Sequence, residues 1–192
     1  MNLAEASNLA KKTLSNQWVK WIHRGSAPAN TATEKNINVI ASSINPKHCA
    51  SCLNINGCCF VKDKSPENPL HENCHCYYED IGIPDVKTLC AVQKFTDYIF
   101  NEGNDKGKKA MFESWGYTIL DSYNLKENFE KQAQLAYQCG EYELAWRDGY
   151  GQRINIAVQL KKQTGESFTI VTGWMTYPDG RLVLATPYGR KR

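Results

Sequence analysis

The residues with the clearest chemistry are cysteines, six of which fall between residues 48 and 78. Cys49 and Cys52 form a Cys-x2-Cys pair, and Cys74 and Cys76 form a Cys-x-Cys pair beyond a proline-containing loop. A Cys-x2-Cys pair presents both sulfurs to one ion, and the loop allows the second pair to return and complete a tetrahedral site. Because thiolates are favoured ligands of zinc, this spacing predicts a structural zinc ion held by these four cysteines.

Two alternatives remain open for this cluster. His71, two residues after Pro69, could replace one sulfur ligand. The cysteines could instead form disulfides if the chain resides outside a reducing cell, or they could stay free thiols. Residues 1–18 lack the apolar core of a signal peptide, which favours reduced thiols and a cytoplasmic location in the producing cell.

A second set of polar residues, in the C-terminal half, could bind and cleave a phosphodiester. All four histidines precede residue 80, so no histidine acid–base pair can form within this half. Lysine and arginine could instead stabilise a charged phosphorane while hydroxyl groups position the attacking 2′-hydroxyl group, which requires no cofactor for catalysis. The candidate catalytic residues are Lys109, Arg153, Thr172 and Thr186, and the candidate substrate-binding residues are Tyr150, Trp174, Tyr188 and Arg190.

The placement of these candidates depends on the alternation of side chains along strands. We expect Arg153, Thr172 and Thr186 to share the face of a sheet that receives the ligand. Trp174 or Tyr188 would then provide a stacking platform for a base. Core packing of Trp174 and simple exposure of Lys109 on a helix are the competing interpretations.

The cysteine pattern, together with the strings LNING and NPLHENCHCYY, resembles the C-terminal end of Mu F-like phage minor head (head-morphogenesis) proteins. The resemblance covers about residues 44–80. In that family a Cys-x2-Cys, a short hairpin and a P-x-H-x-x-C-x-C sequence close a small zinc-ribbon-like element. The resemblance implies such an element here and, as partners, phage head or portal components.

The remainder of the chain resembles an uncharacterised (DUF6883-like) domain found at the C-terminus of polymorphic toxins and Mu F-type phage proteins. The strings that carry this resemblance are KKAMFESWGYT, GYGQRINIAVQL, TIVTGWMTYPDG and LVLATPY. It implies two helices followed by a four-stranded antiparallel sheet, as in several small ribonucleases. The motif positions of the resemblance are Lys109, Gly151, Arg153, Thr172, Trp174, Thr186 and Tyr188.

Two functions from different classes follow from these resemblances. The first is a toxin domain, a metal-independent ribonuclease acting on tRNA or other RNA, with a cognate immunity protein as its partner. The alternative is a non-enzymatic minor head protein that binds virion components or DNA. The chain would accordingly be virion-associated, delivered into a target bacterial cell, or both.

Charge is distributed unevenly along the chain. The formal net charge is +3, and it lies entirely in residues 87–192, which hold fifteen basic and twelve acidic residues. The end of the chain, Arg190-Lys191-Arg192, adds to a local basic excess that favours a polyanionic partner. No apolar run approaches the roughly 20 residues needed to cross a bilayer, so we expect no membrane insertion.

Hydrophobic periodicity predicts an α+β protein in which helices pack on a small antiparallel sheet. A helical segment is expected over 1–43. The resemblances imply a zinc-ribbon-like element over 44–83 and an α+β toxin-like domain over 84–192. An amphipathic helix is expected over residues 1–23, and Gly82 and Pro84 are expected to form a hinge. Further helices are predicted over 86–99, 105–115 and 125–139. Strands are predicted over 153–160, 168–177 and 181–186, with a possible fourth over 141–146.

Overall fold

The computed structural model of the chain describes residues 17–22, 50–68, 70, 74, 76–104, 107–148 and 151–187. Several sequence predictions lie outside these residues: most of the helix over 1–23, and the candidate residues Cys49, His71, Tyr150, Tyr188 and Arg190. The described residues form two sheets and associated helices, so the expected α+β class is confirmed.

The first sheet belongs to the cysteine element, by which we mean residues 17–22 and the described residues of 50–81. It consists of β1 (Trp18–Ile22), β2 (Cys59–Val61) and β3 (Tyr77–Ile81), in the order β2-β1-β3 with both pairs antiparallel. A short helix, α1 (Ala50–Leu53), precedes β2. A 3-10 turn over Lys62–Lys64 follows β2.

The second sheet has five strands and belongs to the C-terminal unit, by which we mean the described residues from 84 onward. Its strands are β4 (Lys87–Leu89), β5 (Glu143–Asp148), β6 (Gly151–Lys161), β7 (Ser167–Thr176) and β8 (Arg181–Thr186), in the order β4-β8-β7-β6-β5. Only the β4–β8 pair is parallel.

The helices of the C-terminal unit lie on one face of this sheet. They are a π-helix over Lys94–Ile99, α2 (Lys108–Ser114) and α3 (Ser122–Gln138), with 3-10 turns over Glu102–Asn104 and Ile119–Asp121. Phe129 of α3 packs with Ile156 of β6 and Trp174 of β7, and all three are fully buried. Burial of alternate residues along β6 follows from this one-sided covering.

Three of the predicted strands are confirmed, and the possible fourth corresponds to β5, shifted to begin at Glu143. Two predictions are wrong. Residues 18–22, expected at the end of an amphipathic helix, form β1, because β2 and β3 offer hydrogen-bonding partners on both of its sides. Residues 86–99, expected as one helix, divide into β4 and the π-helix, because residues 87–89 pair with β8.

The two units share a hydrophobic core. Trp18 of β1 and Val61 of β2 are buried in the same cluster as the core residues of the C-terminal unit. A second, smaller cluster lies within the cysteine element and includes Trp21, Phe60 and Ile55. The boundaries proposed from sequence for the three segments stay predictions.

No described helix combines the length and the apolar character that spanning a bilayer requires.

Candidate metal centre and open sheet face

Three of the four predicted zinc ligands lie together. The sulfur atoms of Cys52, Cys74 and Cys76 are all within 4.8 Å of one another, and the Cys52 and Cys74 sulfurs are 3.7 Å apart. Zinc–sulfur bonds of about 2.3 Å place two ligands of a tetrahedral site about 3.8 Å apart. The three thiols could therefore hold a metal ion with little rearrangement. The fourth predicted ligand, Cys49, lies outside the described residues.

Local structure brings these cysteines together from distant positions. Cys52 lies in α1, and Cys76 directly precedes β3. The loop between them is fixed by Asn68, whose side-chain amide donates to the Cys76 carbonyl at 3.1 Å. Tyr78 of β3 donates its hydroxyl to the Pro66 carbonyl, which ties the same loop to the sheet. These two hydrogen bonds hold the loop in a position that brings Cys74 and Cys76 next to Cys52.

The three thiols differ in acidity. Burial raises the pKa of Cys52 well above its ordinary value, and the neighbouring Cys74 and Cys76 thiols raise it further. Burial also acts to raise the pKa of Cys74, but hydrogen bonds from the backbone N–H groups of Cys76 and Leu70 and from the neighbouring thiols outweigh it and lower the pKa to about 7. The cluster therefore favours one thiolate near neutral pH, and a bound cation would favour ionisation of the other two thiols.

The adjacent Cys58 and Cys59 take no part in this cluster. The Cys58 thiol donates to the Thr176 carbonyl at 3.6 Å, and the Cys59 thiol donates to the Gly57 carbonyl at 3.5 Å. Burial raises the pKa of Cys58 to about 12 and that of Cys59 to about 11. Both are therefore neutral thiols at physiological pH, which suits packing rather than ligation.

The expected arrangement of Arg153, Thr172 and Thr186 on one face is wrong for Thr172. Thr172 is fully buried, donates its hydroxyl to the Ile156 carbonyl at 2.9 Å, and accepts the indole N–H of Trp174 at 2.8 Å. Both side chains point toward the helices, because Trp174 pairs with Ile154, whose side chain is in the core. Thr172 is a buried polar group satisfied within the core, and Trp174 is a core residue rather than an available stacking platform.

Arg153 and Thr186 do lie on the opposite face, which the described helices leave uncovered. Arg153 pairs with Met175, and Thr186 pairs with Gly173, so both share the face of the odd-numbered residues of β7. We call this surface the open sheet face. Its principal polar and aromatic members are Trp146, Arg153, Asn155, Thr169 and Thr186.

The geometry of the open sheet face is set by cross-strand neighbours. Asn155, Gly173 and Thr186 form one row across three strands, which places Asn155 and Thr186 about 10 Å apart. The guanidinium carbon of Arg153 lies 4.9 Å from the centre of the Trp146 ring, and Trp146 is 63% exposed. The face thus combines a cation, an accessible aromatic ring and neutral hydrogen-bonding groups. It also bears the carboxylate of Glu143, which pairs with Asn155.

A cavity of about 240 Å³ lies where this face meets the cysteine element. Asn155 and Thr169 line it from the sheet, and Glu143 lines it from β5. Lys64 of the cysteine element also lines the cavity, and its ammonium group donates to the Gly140 carbonyl.

Lys109 lies apart from the other candidate catalytic residues. It belongs to α2, and its ammonium group is 3.0 Å from a Glu102 carboxylate oxygen and 4.0 Å from one of Glu113. Phe112 of the same helix is buried in the core on the helix-covered side of the sheet. The structure therefore separates Lys109 from Arg153 and Thr186.

Sequence reasoning missed Trp146 and Asn155. Both could have been found from alternation, because Asn155 lies two residues after Arg153 in the same predicted strand. Trp146 was harder to place, since the register of β5 and β6 shifts between Leu144 and Arg147. Because of this irregularity, the Trp146 indole lies against the Arg153 guanidinium group. Regular alternation of side chains would not predict this contact.

Comparison with protein-family models identifies the C-terminal part of the chain. The model of a family described as a domain of unknown function (DUF6883) matches residues 83–191, which is more than half of the chain. No curated protein and no solved structure matches the chain.

Proposed function

The chain belongs to the DUF6883 family, a domain of unknown function. We propose that its C-terminal unit is a toxin-type ribonuclease domain that binds RNA on the open sheet face, and that the cysteine element carries a structural zinc ion. The observation that carries the first part is the Arg153–Trp146 pair on a face that also bears Thr186. The observation that carries the second part is the approach of three cysteine sulfurs to within 4.8 Å of one another.

The open sheet face has the groups that single-stranded RNA requires. A guanidinium group contacts phosphate, and an exposed indole stacks on a base of any identity. Asn155 and Thr169 offer an amide and a hydroxyl group along the same surface. The basic excess of residues 87–192 adds long-range attraction for a polyanion.

In the proposed reaction Arg153 stabilises the negative charge that develops on the phosphorane. The Thr186 hydroxyl group, on the same face, positions the 2′-hydroxyl group or a phosphate oxygen. Lys109 is left out of this role, because α2 lies on the helix-covered side of the sheet, away from Arg153 and Thr186. Thr172 acts only by supporting the strand beneath the site.

In the proposed metal centre, Cys49 supplies the fourth ligand beside Cys52, Cys74 and Cys76. The Cys-x2-Cys spacing of Cys49 and Cys52 supports this assignment. Sulfur ligands favour zinc over magnesium, calcium or manganese, and four protein ligands leave no open position for a substrate. Zinc would therefore stabilise the fold of the element and take no part in catalysis.

The test is expression of the full chain in bacteria from a tightly repressed promoter, with viable counts and total RNA integrity measured together. We expect rapid loss of viability with cleaved tRNA or rRNA, and we expect Arg153→Ala to abolish both. Lys131→Ala is the matched control, because Lys131 is an exposed cation on α3, on the other side of the sheet. Its effect should match that of the unmodified chain.

Two results would contradict the ribonuclease proposal. Killing with intact RNA would indicate another activity. Unimpaired growth with abundant soluble protein would favour the non-enzymatic alternative, a minor head protein that binds virion components or DNA.

A further inference from the structure

The β1–β2 ribbon, residues 18–22 and 59–61, lies between the cysteine cluster and the C-terminal unit. Trp18 and Val61 pair with each other and are buried in the core of the C-terminal unit. Val19 and Phe60 also pair with each other, and they are buried in the cluster that contains Cys52 and Cys76. Since successive side chains point to opposite faces of a strand, the two faces of one ribbon support two different cores.

Hydrogen bonds from the C-terminal unit reach the ribbon at two buried tyrosines. The backbone N–H of Val61 donates to the Tyr142 hydroxyl oxygen at 2.8 Å, and that hydroxyl donates to the Lys64 carbonyl at 3.4 Å. The Tyr137 hydroxyl donates to the Cys59 carbonyl. Tyr137 is 4% exposed and Tyr142 is 2% exposed, so water cannot readily replace these partners.

Further contacts join the cysteine element to the C-terminal unit at the same place, which we call the junction. The Trp18 and Tyr137 ring centres are 5.2 Å apart. Gly57 has a φ of +92°, and a Cβ atom there would lie 3.0 Å from the Pro178 carbonyl oxygen in the turn between β7 and β8. The cysteine element is therefore fitted closely to the end of the five-stranded sheet rather than joined to it only through the chain.

We propose that occupancy of the metal centre controls the stability of the C-terminal unit through the β1–β2 ribbon. This inference rests on the proposed metal centre. Metal binding stabilises the cluster side of the ribbon, because Val19, Trp21 and Phe60 pack there with the ligand cysteines. Loss of the metal releases the ribbon, which removes Trp18 and Val61 from the larger core and leaves the two tyrosine hydroxyls without partners.

The consequence is that the stability of the C-terminal unit depends on a metal site that lies outside it. The family match begins at residue 83, yet part of the core of the matched region comes from residues 18 and 61. Conditions that remove the metal should therefore weaken the C-terminal end of α3, which carries Tyr137, and the segment before β5, which carries Tyr142.

Hydrogen exchange of the full chain, read by mass spectrometry with zinc bound and after chelation, tests the inference. We expect exchange in residues 133–147 to become at least about tenfold faster on chelation. Residues 108–116, which contain α2 at a distance from the junction, serve as the internal control and should change less. Faster exchange in residues 50–81 alone, with residues 133–147 unchanged, would overturn the inference.

A milder variant tests the junction itself with zinc bound. Tyr142→Phe removes one hydroxyl group while keeping the ring, and we expect about three- to tenfold faster exchange in residues 59–64 and 133–147. Tyr123→Phe is the control, because Tyr123 is 67% exposed on the same helix as Tyr137. Equal exchange in the two variants would overturn the inference.

The two proposals fail in different ways. A purified chain that binds no zinc would refute the metal centre and, with it, control by metal. If the chain binds zinc but the hydrogen-exchange protection of residues 133–147 does not change on chelation, the metal centre stands. Only its effect on the stability of the C-terminal unit is then refuted.

Discussion

The guanidinium group of Arg153 lies over the ring of Trp146, with 4.9 Å between the guanidinium carbon and the ring centre. The contact joins two neighbouring strands at an irregularity, because the register of β5 and β6 shifts between Leu144 and Arg147. Such a shift in register changes the direction in which a side chain points, compared with regular strand pairing. The result is a cation–aromatic pair on the side of the sheet that the described helices leave uncovered.

Trp146→Ala should weaken binding of a single-stranded RNA oligonucleotide by about tenfold or more, because it removes a stacking surface worth about 1–3 kcal/mol per base. Fluorescence anisotropy with a labelled oligonucleotide measures the affinity. Leu144→Ala is the control, since Leu144 lies on the same strand and pairs with the core residue Ile154. Equal affinities for the two variants would remove the open sheet face as the RNA site.

Thr172→Val should lower the free energy of unfolding by about 1–3 kcal/mol, because the buried indole N–H of Trp174 loses its acceptor. Urea denaturation followed by circular dichroism measures the change. Thr169→Val, an exposed position three residues earlier on the same strand, should change stability by less than about 0.5 kcal/mol.

The same pair of variants separates support of the fold from contact with RNA. Thr172→Val should leave RNA affinity unchanged under conditions where the protein is folded. A large loss of affinity at Thr172, with normal stability, would mean that Thr172 contacts the ligand after all.

Cys74→Ser should lower the zinc content of the purified chain from one ion per chain to well below that, because serine is a poor ligand for zinc at neutral pH. Native mass spectrometry or elemental analysis counts the metal. Cys139→Ser is the matched control, since Cys139 lies at the end of α3 and outside the cysteine cluster. Unchanged zinc content in Cys74→Ser would contradict the assignment.

Stability should fall as the pH rises above about 9, and Cys90 should contribute to that fall. Burial raises the pKa of Cys90 to about 12, and Glu130 raises it further. A thiol with a raised pKa stays protonated in the folded state while the unfolded chain ionises. The stability it contributes is therefore complete below the ordinary thiol pKa and is lost as the pH rises toward 12.

Urea denaturation between pH 8 and pH 10.5 tests this linkage. Cys90→Ser should show a shallower loss of stability than the unmodified chain, because a serine hydroxyl does not ionise in this range. Cys139→Ser again provides the comparison, since Cys139 is only partly buried. Identical slopes for the unmodified chain and Cys90→Ser would show that the buried thiol has no part in the alkaline transition.

Local sequence patterns were sufficient for the hairpin of β7 and β8 and for the grouping of Cys52, Cys74 and Cys76. Alternating β-branched and aromatic residues surround Pro178-Asp179-Gly180, so the turn and both strands could be predicted without knowledge of distant residues. Cys74 and Cys76 could be paired with Cys52 in the same way, because the ligand spacing is itself a local pattern.

The faces of the sheet on which Thr172 and Thr186 lie could be determined only from the assembled sheet. Regular alternation would place Thr186 on the same side as the buried Leu182 and Leu184, but the register of β7 and β8 shifts next to Gly173 and moves it to the open sheet face. Thr172 follows regular alternation, yet the sequence does not say which side of β7 the helices cover. Alternation along a strand shows which side chains share a face. It does not show which of the two faces the helices cover.

The sequence by itself determined the α+β class, the C-terminal hairpin and the cysteine cluster, because each depends on residues close together in the chain. Only the tertiary structure decided that residues 18–22 form a strand, that β4 pairs in parallel with β8, and that the cysteine element completes the core of the C-terminal unit. These features depend on hydrogen bonds and apolar contacts between residues separated by tens of positions. Such long-range pairing overrides local helical periodicity, since a strand is stabilised by its neighbours in the sheet more than by its own sequence.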